Sequence, residues 1–494
     1  MPAPGERRIG AALVFTGLAL LTVLSVRTGT YFDDEIATIR LMEQAGSLRE
    51  TIALANGGDV HPPLGYVLDW LLLRLTGSWK GVQLIAGIAN AAALAGFAGL
   101  AARRLERRAW WILIGLSGTA ASAVMWGASL RWYAWFNPVF LLCLGLVLWS
   151  GRGPRLRLWL AAGGSVLLFH TGYLAVIAAP LLGFAWALRL IRERRPIPWR
   201  AAAVACGAAV VVCLPQAWVL LHVHLANQSD QRGGLAISLI QTATTLLLGN
   251  AVQPLSVLAV LMTATMLAAL VAVIRRQPRG ILPLVGLAAL GFALLVASGL
   301  GYKPRNAVFL ALALLPAMAA GLAALPRWPR WAALALVALF QVRGYANVAL
   351  HEGTAKRSFN TPYPLLVDQV AAWQHRCPAL VVSHGDPVLG YLLGPGVRQS
   401  GPFAPAAQHL RNGDCLVVED GNALELSPSG RAWIAARDGL PHRREAVATW
   451  RDETAFARAA GWLGKPVSPY AARLELRRLV RPARLAAYGA SDTR

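Results

Sequence analysis

The sequence predicts an all-α polytopic membrane protein with about eleven transmembrane helices plus interfacial helices, followed by a small C-terminal α/β extracytoplasmic domain. Three observations predict it. Of 494 residues, 56% are hydrophobic and only 14% charged, with a mean hydropathy of +0.49; a soluble chain of this size could not hide so much apolar surface. The apolar residues come as unbroken Ala/Leu/Val/Gly runs of about 18–23 residues, the length of a helical crossing and not of barrel strands. From about residue 352 the composition changes, with 18 Lys/Arg and 13 Asp/Glu interspersed among frequent Pro and Gly and no run of membrane length.

Arg7 and Arg8 precede the first run, 9–26, and no small-residue cleavage signal follows it. It reads as a retained signal anchor with a cytoplasmic N-terminus. Further spans are expected near 82–102, 109–126, 134–149, 157–170, 173–191, 200–221, 252–274, 281–299, 306–324 and 331–349. The segment 62–76 is too short for a full crossing and holds Asp69 and Arg74, so it is expected to lie in the outer interface. Charge supports that choice. With 62–76 interfacial, the inside loops carry 19 Lys/Arg and the short outside loops (127–133, 171–172, 222–251 and 300–305) carry four: Arg131, Arg232, Lys303 and Arg305. A crossing at 62–76 would move every later arginine cluster outside, against the positive-inside rule. The net charge of +23 therefore reports topology, and no nucleic-acid partner is expected.

These assignments make 1–350 a transmembrane module, with 27–81 as its first periplasmic loop, and 351–494 a soluble domain outside an inner, cytoplasmic membrane. In that domain 378–383 and 415–419 have buried-strand patterns, while 363–375, 429–437 and 452–463 have helical spacing. Cys377 and Cys415 flank the two strands, and an extracytoplasmic setting would let them pair. Cys143, Cys206 and Cys213 lie within apolar runs, as small packing residues do.

Residues 1–350 hold eleven acidic side chains, and seven of them fall between 33 and 69. Glu43 and Glu50 read as solvated positions of a loop helix. The adjacent carboxylates Asp33, Asp34 and Glu35 stand just after a span, where mutual repulsion and low dielectric raise a pKa toward that of a general base. The second acidic constellation is Asp59-Val60-His61-Pro62-Pro63-Leu64. Its prolines set a helix start and keep His61 extended, holding Asp59 and His61 above that helix. Among outer basic residues, Lys303 and Arg305 have no acidic neighbour in their loop and suit a phosphate at headgroup depth, though snorkelling anchors would look alike. Arg131, Tyr133, His170 and Tyr173 cluster at outer helix ends, where aromatic-belt anchoring competes with ligand binding. His222 and His224 with a distant Asp230 make a poor metal set. Asp34 and Asp59, with Asp33 and Glu35, offer oxygen ligands that would suit a divalent ion such as Mg or Mn.

An acidic pair after the first span, an Asp-x-His-Pro-Pro-Leu helix start, and a late outer loop bearing Lys and Arg resemble the GT-C glycosyltransferases of the protein O-mannosyltransferase and aminoarabinose-transferase type. The order covers roughly residues 9–325; Phe32-Asp33-Asp34-Glu35 and Asp59 to Leu64 are its specific part. The resemblance implies a transferase that takes a sugar from a polyprenyl-phosphate donor on the outer face, with Asp34 as base and Glu35 beside it. Asp59 is expected in the same catalytic group, and Lys303, Arg305, His61, Arg131, Tyr133 and His170 are expected around the donor phosphate. Where the family's late loop often reads Arg-Tyr, this chain has Arg305-Asn306, and where some relatives carry a further Asp after the third span it offers Arg131.

The chemistry agrees. A lipid-phosphate donor needs no nucleotide site, and the sequence has no glycine-rich phosphate loop. Attack on the anomeric carbon needs a carboxylate to take the acceptor's proton and cations to meet the departing phosphate, and a single displacement inverts the anomeric centre. No cofactor is required, and the acceptor is a lipid, polysaccharide or protein hydroxyl. The alternative is a lipid or glycolipid flippase or transporter, which would place ionisable or helix-breaking residues near the bilayer midplane.

Overall fold

The computed structural model describes residues 1–28, 33–58, 61–224, 235–249, 251–252, 256–276, 280–300, 303–350, 361, 363–384, 387–394, 396–400, 408–419, 434–451 and 470–485. The chain forms two compact units, Met1–Gly29 with Thr38–Ala355, and Thr30–Ala37 with Lys356–Arg494.

The first unit is a helical bundle. Helix α1 (Pro4–Thr28) is followed by three shorter helices, α2 (Asp33–Glu43), α3 (Leu48–Gly58) and α4 (Pro63–Thr76), and the boundary between the units runs inside α2. Pro63 occupies the first turn of α4, where a missing N–H costs nothing, and Gly77, at φ 68°, ends the helix in the left-handed conformation. Then come α5 (Trp79–Ala101), α6 (Arg107–Gly118), α7 (Ala121–Gly127), α8 (Trp132–Trp149), α9 (Pro154–Thr171), α10 (Ala175–Arg192) and α11 (Trp199–Val219). The remaining helices are α12 (Leu235–Leu248), α13 (Val257–Arg276), α14 (Leu282–Ala297), α15 (Val308–Ala324) and α16 (Arg327–Leu350).

Helices thus occupy all eleven positions where spans are expected. Among the described residues seven of them (α1, α5, α8, α10, α11, α13 and α15) are long and apolar enough to cross a membrane. The α6–α7 pair, bent by 43°, makes an eighth. The chain is a multi-pass membrane protein. One expectation needs correction: residues 235–248, assigned to an outer loop, form α12, which packs on α13, α14 and α15. Its 14 residues are too few for a crossing, so a span-length search passes over it.

Helix contact in an apolar solvent depends on close backbone approach and on buried polar links. Gly321 of α15 faces the Ala269 carbonyl of α13 so closely that a Cβ there would overlap it. The break between α7 and α8 is spanned by the buried amide of Asn90, which donates to the Gly127 and Ala134 carbonyls at 3.3 and 2.5 Å.

Specific contacts gather the arginine clusters at one end of this bundle. Arg107 pairs with Glu6 at 2.6 Å, and Trp110 donates to the Glu6 carbonyl. The Trp149 indole donates to the Gly280 carbonyl, and Gly280 packs on the Arg104 side chain. Arg157, with its side chain only 2% exposed, makes a two-pronged contact with Glu193 at 3.0 and 2.6 Å. Arg189 joins that carboxylate and also donates to the Leu148 carbonyl. Arg276 and Arg330 cap the end of α15 through the Ala324 and Ala323 carbonyls.

Among its described residues the second unit contains helices α17 (Tyr363–Gln374) and α18 (Pro387–Leu393) and seven strands. The strands are β1 (Leu380–Ser383), β2 (Arg398–Ser400), β3 (Gln408–Leu410), β4 (Cys415–Glu419), β5 (His442–Arg451), β6 (Tyr470–Leu479) and β7 (Ala483–Leu485). One sheet has the order β2-β1-β4-β6-β5, parallel from β2 to β4 and antiparallel beyond; β3 and β7 pair separately. The two expected strands are adjacent, and their register brings Leu380 opposite Cys415. Cys377, just before β1, is disulfide-bonded to Cys415. Expected helix 363–375 is α17 and residues 434–438 are helical, whereas 429–433 and 452–463 lie outside the described residues. The β5–β6 hairpin is an addition to what the sequence predicts. Ala472, Leu474 and Leu476 alternate inward on β6, and on its other face Arg444 and Arg477 bond Glu475 at 2.8 and 3.1 Å. Burial opposes ionisation of Glu475, but those hydrogen bonds prevail and hold its carboxyl below the usual range.

Candidate functional site

Opposite the arginine-rich end, α4, α8 and the α9–α10 turn converge on Trp132. The 18 residues of α8 separate the two ends by about 26 Å. Trp132 is 5% exposed. The His61 ring lies 5.3 Å from it, Tyr133 and Phe136 meet it edge-on at 5.3 Å each, and its backbone packs on Gly65 of α4. Gly172, between α9 and α10, sits against the indole so tightly that a Cβ would overlap it. His170 is two residues earlier, at the end of α9.

Beside this aromatic knot runs a polar ladder between α4 and α8. Arg131, 5% exposed, donates through Nη1 to Thr38 Oγ1 of α2 at 3.1 Å and to Tyr66 Oη of α4 at 3.2 Å. One turn along, Trp135 Nε1 donates to Asp69 Oδ1 at 2.8 Å. Tyr66 and Asp69 are spaced i, i+3 on α4, and Arg131 and Trp135 are spaced i, i+4 at the start of α8, so each helix presents one polar stripe to the other. Asp69 is buried in this pairing, which answers for its charge inside an apolar helix. Farther round, Gln216 of α11 donates to Tyr173 Oη at 2.8 Å and to Asn56 of α3 at 3.4 Å.

Lys303 and Arg305 stand at the start of a 3-10 turn, Pro304–Ala307, that leads into α15 and packs on α12 and α14. Asn306 is buried and donates to the Leu300 carbonyl at 2.8 Å, closing its own loop. Phe309, one turn past Arg305, meets Phe136 and Phe140 of α8 at 5.6 and 4.8 Å. Since Phe136 is itself one turn past Trp132, the Lys303–Arg305 turn and the Arg131–Tyr133 segment lie at the same end of the bundle.

His61, Arg131, Tyr133 and the His170 segment are therefore drawn together by direct contacts, and Lys303 and Arg305 reach that end through Phe309. Glu35 is buried near the start of α2, in the second unit. Asp34 belongs to the first turn of α2; its side chain, that of Asp33, and all of Asp59 lie outside the described residues. Among the described residues no three His, Cys, Asp or Glu side chains gather as a metal group would. Sequence reasoning missed Trp132 as a centre, because a tryptophan at a helix end reads as a belt anchor, and missed Tyr66, Thr38 and Gln216. The i, i+3 spacing of Tyr66 and Asp69 after the Pro62-Pro63 start was the available signal.

No protein-family model and no curated protein sequence matches the chain. Among solved structures it is similar to ArnT from Cupriavidus metallidurans in the apo state, with a TM-score of 0.54 at 12% identity over 98% of this chain and 99% of that one. The same protein bound to undecaprenyl phosphate gives a TM-score of 0.53 at 12% identity, over 94% and 97%. At that identity the likeness is one of fold. It extends over nearly the whole length of both chains, so the chain shares the overall fold of that structure.

Proposed function

We propose that this protein is an inverting membrane glycosyltransferase, moving a sugar from a polyprenyl-phosphate donor to an acceptor hydroxyl at the outer face of the membrane. The observation that carries the reading is the full-length likeness to a fold seen holding undecaprenyl phosphate. In this reading Asp34 takes the acceptor's proton as the oxygen attacks the anomeric carbon, and the bond to the carrier phosphate breaks on the opposite side. Lys303 and Arg305 meet the charge that builds on the departing phosphate. Glu35 and Asp59 assist on the acceptor side of the reaction in this reading. Arg131 acts as a positioning residue: its guanidinium engages Thr38, one turn past Asp34 on α2, and Tyr66 on α4. His61, Tyr133 and His170 shape the donor side.

The test uses purified protein in detergent, a radiolabelled polyprenyl-phosphate sugar and membrane extract as acceptor. Asp34→Asn is expected to lower label transfer by about 10²–10⁴-fold, the usual worth of a general base, while donor binding stays intact. Arg305→Ala is expected to weaken donor binding by roughly 10–100-fold, the range for a hydrogen bond to a charged group. Unchanged transfer by Asp34→Asn removes the base assignment, and carrier movement across vesicles without transfer makes the protein a transporter.

A further inference from the structure

Helices α6 and α16 leave between them a groove of about 900 Å³, walled by apolar side chains such as Trp111, Leu116, Leu334 and Val337. Arg108, Arg327 and Arg330 form its mouth, at the arginine-rich end. No acidic side chain lines it. Arg107 is neutralised by Glu6, but among the described residues neither Arg108 nor Arg327 has an ion pair, and Arg330 spends Nη1 on the Ala323 and Leu325 carbonyls. Along α6 the groove runs from Arg108 to Thr119, about 16 Å at ~1.5 Å per residue, which is the depth of one leaflet of a hydrocarbon core of ~30 Å. On α16 it continues to Tyr345, whose Oη is buried without a hydrogen-bond partner among the described residues.

A slot at least a leaflet deep, walled mainly by apolar side chains and cationic only at its lip, complements a molecule with one anionic head and a hydrocarbon tail. We propose that this groove is a binding site for an anionic phospholipid, with the phosphate between Arg108 and Arg327 and an acyl chain laid along α6. A zwitterionic headgroup brings the same phosphate together with its own cation, which opposes the attraction to the two guanidinium groups, so the site selects by net charge. It is separate from the Trp132 end and holds whether or not the transferase reading does.

The test is native mass spectrometry of the purified full-length chain in neutral detergent, titrated with phosphatidylglycerol or with phosphatidylcholine of identical chains. Phosphatidylglycerol is expected to bind about thirtyfold more tightly, given ~1 kcal/mol for each of Arg108 and Arg327 near the headgroup. The preference should vanish in Arg108→Gln/Arg327→Gln and persist in the charge-matched Arg152→Gln/Arg155→Gln, whose exposed arginines lie outside the groove. Ala338→Trp, which fills the groove, should weaken both lipids. Equal binding of the two lipids by the unaltered protein overturns the proposal, as does a preference reduced alike by both double variants. Mole-for-mole displacement of phosphatidylglycerol by polyprenyl phosphate overturns the choice of ligand.

Discussion

Replacing Glu193 by glutamine removes one negative charge from the arginine-rich end while nearly preserving shape. Hydrogen bonds from Arg157, opposed by burial and reinforced by Arg189, hold the Glu193 carboxyl down to about 2, against an ordinary value of 4.5. At ~1.36 kcal/mol per pH unit that gap caps the contribution near 3 kcal/mol. The carboxylate is 24% exposed, so water screens part of this, and glutamine keeps one acceptor oxygen; about 1–2 kcal/mol is the expected loss at neutral pH. The sign follows from the depressed value: the stabilisation is complete above 4.5 and fades as pH falls toward 2. Unfolding of so large a membrane protein is best compared as apparent midpoints at one scan rate in one detergent. Glu193→Gln should melt a few degrees below the unaltered protein at pH 7, and the gap should close by pH 2–3. Equal midpoints at pH 7, or a gap undiminished in acid, would refute the assignment of Glu193 as counter-charge to the buried Arg157.

Two further outcomes follow from packing. Gly172→Ala, which drives a methyl group into the Trp132 ring, should destabilise by about 1–3 kcal/mol as overpacking does, whereas Gly183→Ala, with nothing near the added methyl, should leave the midpoint unchanged; equal melting of the two variants removes Trp132 as the keystone. The Cys377–Cys415 disulfide closes a separation of 38 residues, worth about 4 kcal/mol by loop entropy, so Cys377→Ser/Cys415→Ser should be nicked in its C-terminal unit at least tenfold faster in limited proteolysis, and matching half-lives would contradict that.

Much of the bundle was legible because burial in lipid demands long apolar runs, and those runs fix helix positions directly. What escaped was what breaks that link. Helix α12 is too short to span and is recognisable only through its partners. The β5–β6 hairpin carries arginines and glutamates on its outer face, which mask the inward alternation of Ala472, Leu474 and Leu476. At the candidate site, residue types were readable and partners were not. Asp69 looked like a reason to keep 62–76 at the water boundary, but it is buried because Trp135, 66 residues away in sequence, supplies its donor. Arg131 stood out as an outer cation, yet its pairing with Thr38 and Tyr66 depends on how α2 and α4 fold back on α8, which no local pattern encodes.

The parity of the crossings decides which side of the membrane the candidate site faces, and one ion pair bears on it. If α4 crossed the membrane as α1 and α5 do, the start of α6 would lie on the opposite side from the start of α1. Glu6 and Arg107 are 2.6 Å apart, and Trp110 reaches the Glu6 carbonyl, so the two helix starts lie together, as expected if α4 adds no crossing. Charge counting reached that arrangement from the distribution of arginines alone, without any contact. The contacts are consistent with that expectation, and they also collect Arg104, Arg157, Arg276 and Arg330 at the same end. If the positive-inside rule holds for this gathered end, it faces the cytoplasm, and the Trp132 knot, some 26 Å away along α8, faces outward. The transferase reading requires that direction for a carrier-linked sugar used at the outer face. A cysteine introduced at the exposed Arg152 that reacts with an impermeant thiol reagent in intact cells would reverse the direction and place the candidate site in the wrong compartment.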